Sequence, residues 1–168
     1  EAATQAGKWK NMTAHNRAQI LYYAAENLEL RKEEFSNTIQ NMTGKDGRHE
    51  VESTLETIFH YAAWADKFEG IIHDIPIRGV SLALNEPIGV LGIVCPDKNP
   101  LLSFVHLVFG ALCTGNNIVA IPSERFPLCA LDLYQIFESS DMPAGAINII
   151  TGEQDSLTQI LASHMGVD

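Results

Sequence analysis

The stretch GVLGIVCPDKNPLLSFVHL, residues 89–107, decides the fold of this chain. Its first part, Gly89–Cys95, contains nothing polar and is typical of a buried strand, while Leu101–Thr114 has the length and apolar content of a helix. The loop PDKNP at 96–100 separates the two and brings a carboxylate, an ammonium and an amide together. Because ligands in an open α/β sheet bind beyond the carboxyl ends of the strands, this loop is the first candidate site.

Toward the C terminus the alternation of strand and helix continues. The strands are short and almost entirely apolar, as in a parallel sheet covered on both faces by helices, so the sequence predicts an α/β fold. The predicted elements after Leu101–Thr114 are strand Asn117–Ile121, helix Pro127–Ser140, strand Ala146–Ile150 and a last helix from near Asp155. The loops that follow the three strands, at 96–100, 122–127 and 151–156, should therefore open on one edge of the sheet.

Toward the N terminus the apolar residues recur at helical spacing. The stripe from Thr13 to Met42 predicts one long amphipathic helix, which the two glycines of TGKDG at 43–47 should end. A second helix is predicted from about His49 to Phe68, and the short link makes the two an antiparallel pair. Short apolar alternations around proline and glycine predict a pair of extended strands at 71–87.

Composition narrows the class of protein. A length of 168 residues suffices for one domain with a core or for a piece of a larger protein, and 46% apolar residues indicate a globular chain. A net charge of −10 argues against a nucleic-acid partner, and no apolar run is long enough to predict a membrane span. Since Glu1 is not a natural start, we interpret the chain as part of a longer parent.

The three cysteines, Cys95, Cys113 and Cys129, lack the spacing of a metal site and lie in apolar runs. We expect buried, reduced thiols, no metal and a cytoplasmic location. The histidines are scattered, and His106, within a strongly apolar helix, is predicted to be a core residue rather than a base. None of the three loops is a Walker loop or a GxGxxG turn, so the pattern alone leaves a ligand site and plain solvated loops as equal alternatives.

Four motifs in order carry a resemblance to a known family: NEPIGVLGIVCP at 85–96, PLLSFVHLVFGALCTGNNIV at 100–119, IPSERFPLCALDL at 121–133 and MPAGAINIITG at 142–152. Together they resemble the cofactor-binding half of the aldehyde dehydrogenase superfamily. The resemblance implies N-terminal helices at 1–70, bridging or oligomerisation strands at 71–87, and a partial Rossmann-like cofactor-binding domain at 88–168. It also implies NAD as cofactor and homo-oligomers formed through the bridging strands.

The first loop departs from the pattern of that family, Pro-Trp-Asn-x-Pro, whose asparagine stabilises the oxyanion of the reaction. Asp97 takes the place of the tryptophan and Lys98 that of the asparagine, so the resemblance assigns Lys98 to the catalytic position. A lysine on a flexible four-carbon stem is a poorly placed oxyanion donor. We therefore predict that Asp97 and Lys98 form a solvated, self-paired couple in an abandoned, non-functional site.

The cofactor-binding loops depart as well. The family's Lys-Pro-Ser-Glu loop, which holds the adenosine ribose, becomes Ile121-Pro122-Ser123-Glu124, and in its Thr-Gly-x-Gly turn Gln154 replaces the second glycine. Because these departures and that of the first loop fall on one groove, we predict that NAD binding is weak or lost. The positions that the resemblance assigns to the cofactor are Cys95, Pro96, Glu124 and Gly152.

Two functions follow from the resemblance. The first is a non-catalytic scaffold or interaction domain with a degenerate NAD groove and no catalytic cysteine or glutamate in this segment, most similar to the truncated second domain of family 16 aldehyde dehydrogenases. The alternative is the cofactor-binding half of an active NAD(P)-dependent aldehyde dehydrogenase, an oxidoreductase whose catalytic half lies elsewhere. The expected partners are the rest of the parent chain, a second copy or another protein, with no nucleic acid and no membrane.

Overall fold

The structure, a computed structural model, describes residues 3, 7–67 and 70–168. Helices and strands alternate in the C-terminal half, as the sequence predicts. The elements are α1 (Gly7–Lys10), α2 (Ala14–Leu30), α3 (Lys32–Thr43), α4 (Arg48–Trp64), β1 (Ile71–His73), β2 (Ser81–Ala83), β3 (Val90–Val94), α5 (Pro100–Cys113), β4 (Asn117–Ile121), α6 (Leu128–Ser139), β5 (Ile147–Ile149) and α7 (Gln154–Ser163).

The N-terminal helical region differs from the prediction of a single helix over 13–42. The helix is interrupted at Arg31, whose backbone leaves the helical region at φ −110° and ψ 14°. The Arg31 guanidinium pairs with Glu34 and lies over the ring of Phe35. A second helix begins at the next residue, and its apolar side chains Phe35 and Ile39 are buried in the core. The apolar stripe predicts the buried side of both helices correctly, but a periodic pattern does not register a local break.

The end of α3 and the start of α4 follow the prediction. Gly44 adopts φ 73°, a left-handed conformation that glycine tolerates, and its N–H bonds to the Gln40 carbonyl. α4 ends at Trp64, and the predicted end at Phe68 lies outside the described residues.

β3, β4 and β5 form a parallel sheet in that order, which confirms the predicted fold class. The pairs Val90↔Asn117 and Ile118↔Ile147 set its register. Since both crossovers step in the same direction, right-handed connections place α5 and α6 on one face. The N-terminal helices pack over these two helices and share one apolar core with them; its largest fully buried side chains include Trp9, Leu21, Leu28, Phe35, Phe104 and Phe109.

The opposite face of the sheet is covered less completely than predicted. α7 lies over β3 and β4, but none of its residues is buried, and Ile160 is 62% exposed. A cavity of about 190 Å³ remains between the sheet and α7. One short helix is too narrow to cover a three-stranded face, so the expectation of two covered faces holds fully for only one of them.

β1 and β2 pair antiparallel, from Ile71↔Ala83 to His73↔Ser81, which confirms the predicted strand pair. Most apolar side chains of the segment 71–84, called here the ribbon, lie in solvent; Ile72 is 75%, Val80 76% and Leu82 57% exposed. In the described part of the chain, no helix combines the length and apolar character needed to cross a bilayer.

Candidate functional site

The carboxyl ends of the three parallel strands bring the loops 96–100, 122–127 and 151–156 together, as their positions in the sequence predict. Hydrogen bonds join the second loop to both of the others, and a further one joins the third loop to Cys95, directly before the first loop. The site consists of this edge and of the start of α5, which follows the first loop.

The first and second loops are joined through Asp97 and Ser123. The Ser123 hydroxyl donates to Asp97 Oδ1 at 2.6 Å and accepts from the backbone N–H of Phe126 at 3.0 Å. Ser123 is only 2% exposed, so this hydroxyl is a fixed donor within reach of the carboxylate. The predicted Asp97–Lys98 couple is wrong: no ion pair among the described residues joins the two. The carboxylate binds the pre-positioned hydroxyl, whereas Lys98 lies in solvent.

The second and third loops are joined through Glu124 and Gln154. The backbone N–H of Gln154, the first residue of α7, donates to Glu124 Oε2 at 2.9 Å. A carboxylate at this end of a helix is stabilised by the unpaired N–H groups and the helix dipole. Glu124 is exposed, but its carboxylate already accepts a hydrogen bond within the chain.

The side chain of Gln154 joins the third loop to the end of β3, directly before the first loop. Its Nε2 donates to the carbonyl of Cys95 at 2.7 Å and lies 3.5 Å from the carbonyl of Pro122. These two carbonyls directly follow β3 and β4. The half-buried amide thus spans the carboxyl ends of two neighbouring strands, the region where open α/β sheets receive ligands.

The start of α5 is held by a residue that the sequence analysis did not single out. Glu50 Oε1, on α4, accepts from the backbone N–H groups of Leu101 and Leu102 at 2.8 and 3.2 Å. No side chain of the preceding loop caps this helix; Asn99 instead enters it with φ 49°. Glu50 lies 51 residues from Leu101, and no local capping signature reveals a partner from another helix.

Comparison with known proteins agrees with this architecture. The chain matches the aldehyde dehydrogenase family over residues 1–168. The chain belongs to the aldehyde dehydrogenase family. Retinal dehydrogenase 2 of Gallus gallus is 32% identical over 166 residues, which cover 95% of this chain and 32% of that protein. The chain thus spans about a third of the length of the relatives it matches.

Solved structures of the family superpose closely on this aldehyde dehydrogenase domain. PnpE in complex with nicotinamide adenine dinucleotide gives a TM-score of 0.95 at 29% identity, covering 99% of this chain and 35% of that one. A betaine aldehyde dehydrogenase variant from Staphylococcus aureus in complex with NAD+ gives 0.94 at 29% identity, with coverage of 99% and 35%. The structure therefore has the fold of the N-terminal part of NAD-binding aldehyde dehydrogenases.

The positions predicted for the cofactor and for catalysis lie at or beside this edge in the aldehyde dehydrogenase domain. Cys95 is 1% exposed and burial raises the pKa of its thiol to about 12, so it is protonated at neutral pH. Pro96, Glu124 and Gly152 are exposed. Lys98 is exposed too, and its backbone carbonyl accepts from the Ser103 hydroxyl at 2.7 Å.

Two further side chains, Ile121 and His106, bear on the chemistry available to the aldehyde dehydrogenase domain. Ile121, at the end of β4, is 2% exposed and has no polar atom to offer. His106 is exposed, and its Nε2 lies 3.4 Å from the Tyr61 hydroxyl. The prediction that it is a core residue is wrong, because its position faces outward from an otherwise apolar helix. Across the described residues, no three histidine, cysteine or acidic side chains cluster to hold a metal.

Proposed function

We propose that this segment is a degenerate aldehyde dehydrogenase domain that acts as a non-catalytic scaffold or interaction domain, with weak or no NAD binding. The proposal rests on the carboxyl edge of the sheet, where one group that would bind the ribose is already paired and the other is missing. Glu124 is already paired with the start of α7, and Ile121 offers no hydrogen bond where the family pattern has lysine. The residues present therefore do not fit a dinucleotide.

The thiols and the lysine of the segment support a non-catalytic role. The described cysteines are all buried, and burial raises the pKa of Cys95 and Cys129 to about 12, so neither presents a thiolate nucleophile at neutral pH. Lys98, at the position of the oxyanion donor, is exposed and has no ion-pair partner among the described residues that would fix its ammonium.

We further propose that the domain resembles the truncated second domain of family 16 aldehyde dehydrogenases, acts in the cytoplasm, and divides at 1–70, 71–87 and 88–168. The alternative function is the cofactor-binding half of an active NAD(P)-dependent aldehyde dehydrogenase. Its support is the close superposition on NAD-bound relatives together with the presence of Glu124.

Calorimetric titration of the full-length protein with NAD distinguishes the two functions. Losing the charge-assisted hydrogen bonds of a ribose-binding lysine costs roughly 1.5–3 kcal/mol, and we expect no binding at micromolar NAD. The betaine aldehyde dehydrogenase from Staphylococcus aureus, solved with NAD+, is the positive control. A dissociation constant at or below the micromolar range would contradict the degenerate groove and favour the active enzyme.

The ribbon is the surface that we propose for interaction with a second copy. The ribbon exposes Ile72, Val80 and Leu82, whereas single exposed apolar residues elsewhere need no partner. The test is Leu82→Glu in the full-length protein, with Leu30→Glu on α2 as control, because Leu30 is 84% exposed but outside the ribbon. Sedimentation velocity should show a smaller assembly for Leu82→Glu alone; an unchanged assembly would remove the ribbon from the interface.

A further inference from the structure

We propose that Gln154 is an internal plug, a side chain that occupies the nucleotide crevice of this domain and keeps adenine nucleotides out. This inference rests on the proposed function, since it names the residue that closes the degenerate groove. It goes beyond the loss of ligand contacts, because it assigns the closure to one removable side chain.

The first support is the place that the side chain occupies. A ligand at the carboxyl edge of a parallel sheet approaches the ends of adjacent strands, where backbone groups are free to bind it. Here the Gln154 amide donates to the Cys95 carbonyl at 2.7 Å and approaches the Pro122 carbonyl at 3.5 Å. A ligand that reaches the ends of β3 and β4 must first displace this amide.

The second support is that the backbone of Gln154 is held on both sides. Its N–H donates to Glu124 Oε2 at 2.9 Å, and its carbonyl accepts from the Thr158 hydroxyl at 2.6 Å. A residue fixed in this way presents its side chain to the crevice in a nearly constant position. The plug is therefore pre-organised, and Glu124 takes part by anchoring the backbone from which the plug projects.

The third support is that little of the packing depends on this side chain. Gln154 is half-buried at the first position of α7, a helix without buried residues. Removing the side chain beyond Cβ leaves the Glu124 cap intact, because that contact uses the backbone. The Gln154 side chain can therefore be removed without unfolding the domain.

The experiment measures AMP and NAD binding by calorimetry to the full-length protein, wild type and Gln154→Ala. Displacing one hydrogen bond of ordinary net strength corresponds to roughly a three- to tenfold change in affinity, so Gln154→Ala should bind AMP about three- to tenfold more tightly than wild type. Gln159→Ala, an exposed glutamine of the same helix, is the matched control and should equal wild type. Gln154→Gly is a second variant for the case that the alanine variant folds poorly, and circular dichroism checks the fold of each.

The outcomes separate the plug from the proposed function. AMP affinity of Gln154→Ala and Gln154→Gly within twofold of wild type, with the fold intact, would overturn the plug whether or not wild type binds NAD. An equal gain in Gln159→Ala would also overturn it, because the effect would not be specific to the crevice. Micromolar NAD binding by wild type would overturn the proposed function, and the comparison of the variants would still decide the plug.

Discussion

Replacing Glu50 by alanine tests the contact that joins the N-terminal helices to the start of α5. Glu50 Oε1 accepts from the N–H groups of Leu101 and Leu102 at 2.8 and 3.2 Å, and Leu101 is fully buried. Without the carboxylate, these donors lose their acceptor at a helix end that no other side chain of the described residues caps. A hydrogen bond to a charged group contributes about 1.5–3 kcal/mol, and the second, longer one contributes less. We therefore expect Glu50→Ala to lower the free energy of unfolding by about 2–4 kcal/mol.

The assay is urea denaturation of the full-length protein, followed by the fluorescence of its tryptophans, of which Trp9 is buried beneath α5. Glu50→Gln keeps an acceptor but loses the charge, and should cost about 1 kcal/mol. Glu56→Ala, an exposed glutamate further along α4, is the control and should change stability by less than about 0.5 kcal/mol. If Glu50→Ala costs no more than Glu56→Ala, the carboxylate does not hold the start of α5 and the reasoning is refuted.

Further predictions concern backbone packing and titration. An added Cβ at Gly47 would lie 2.6 Å from the Ser36 carbonyl oxygen, so Gly47→Ala should cost about 1–3 kcal/mol in urea denaturation. Gly79→Ala should be near neutral, because its added Cβ would meet only the Ile75 side chain at an ordinary 3.9 Å. Burial raises the pKa of Cys95 and Cys129 to about 12, so both thiols should react with Ellman's reagent only on unfolding, and fast labelling of the native protein would contradict this. Because the unfolded thiols ionise near pH 9, the free energy of unfolding should fall as the pH rises from about 9 toward 12. Arg48 lowers the pKa of Asp46 from 3.8 to about 2, and NMR titration should show this midpoint return toward 3.8 in Arg48→Met; the stabilising contribution is present above pH 4 and is lost as the pH falls toward 2.

Periodicity predicted the helices and strands because the spacing of apolar residues along a short segment indicates which of its side chains are buried. The central strand β4, with four of its five residues buried, and the apolar stripe of α2 and α3 follow this rule, whereas in β3 only Val90 is buried. The same logic failed at Arg31 and His106. A single break or a single outward position within an apolar segment barely changes the periodic signal.

The sequence by itself determined the α/β class and the edge at which the three loops meet, because apolar period and βαβ connectivity leave few alternatives. Only the tertiary structure decided which polar groups pair there. Asp97 accepts a hydrogen bond from Ser123 and does not pair with its neighbour Lys98. Glu50 accepts from Leu101, 51 residues further along the chain, and the Gln154 amide donates to the carbonyl of Cys95. Such choices depend on distances of a few ångströms between segments far apart in the chain, and no local pattern of residues encodes those distances.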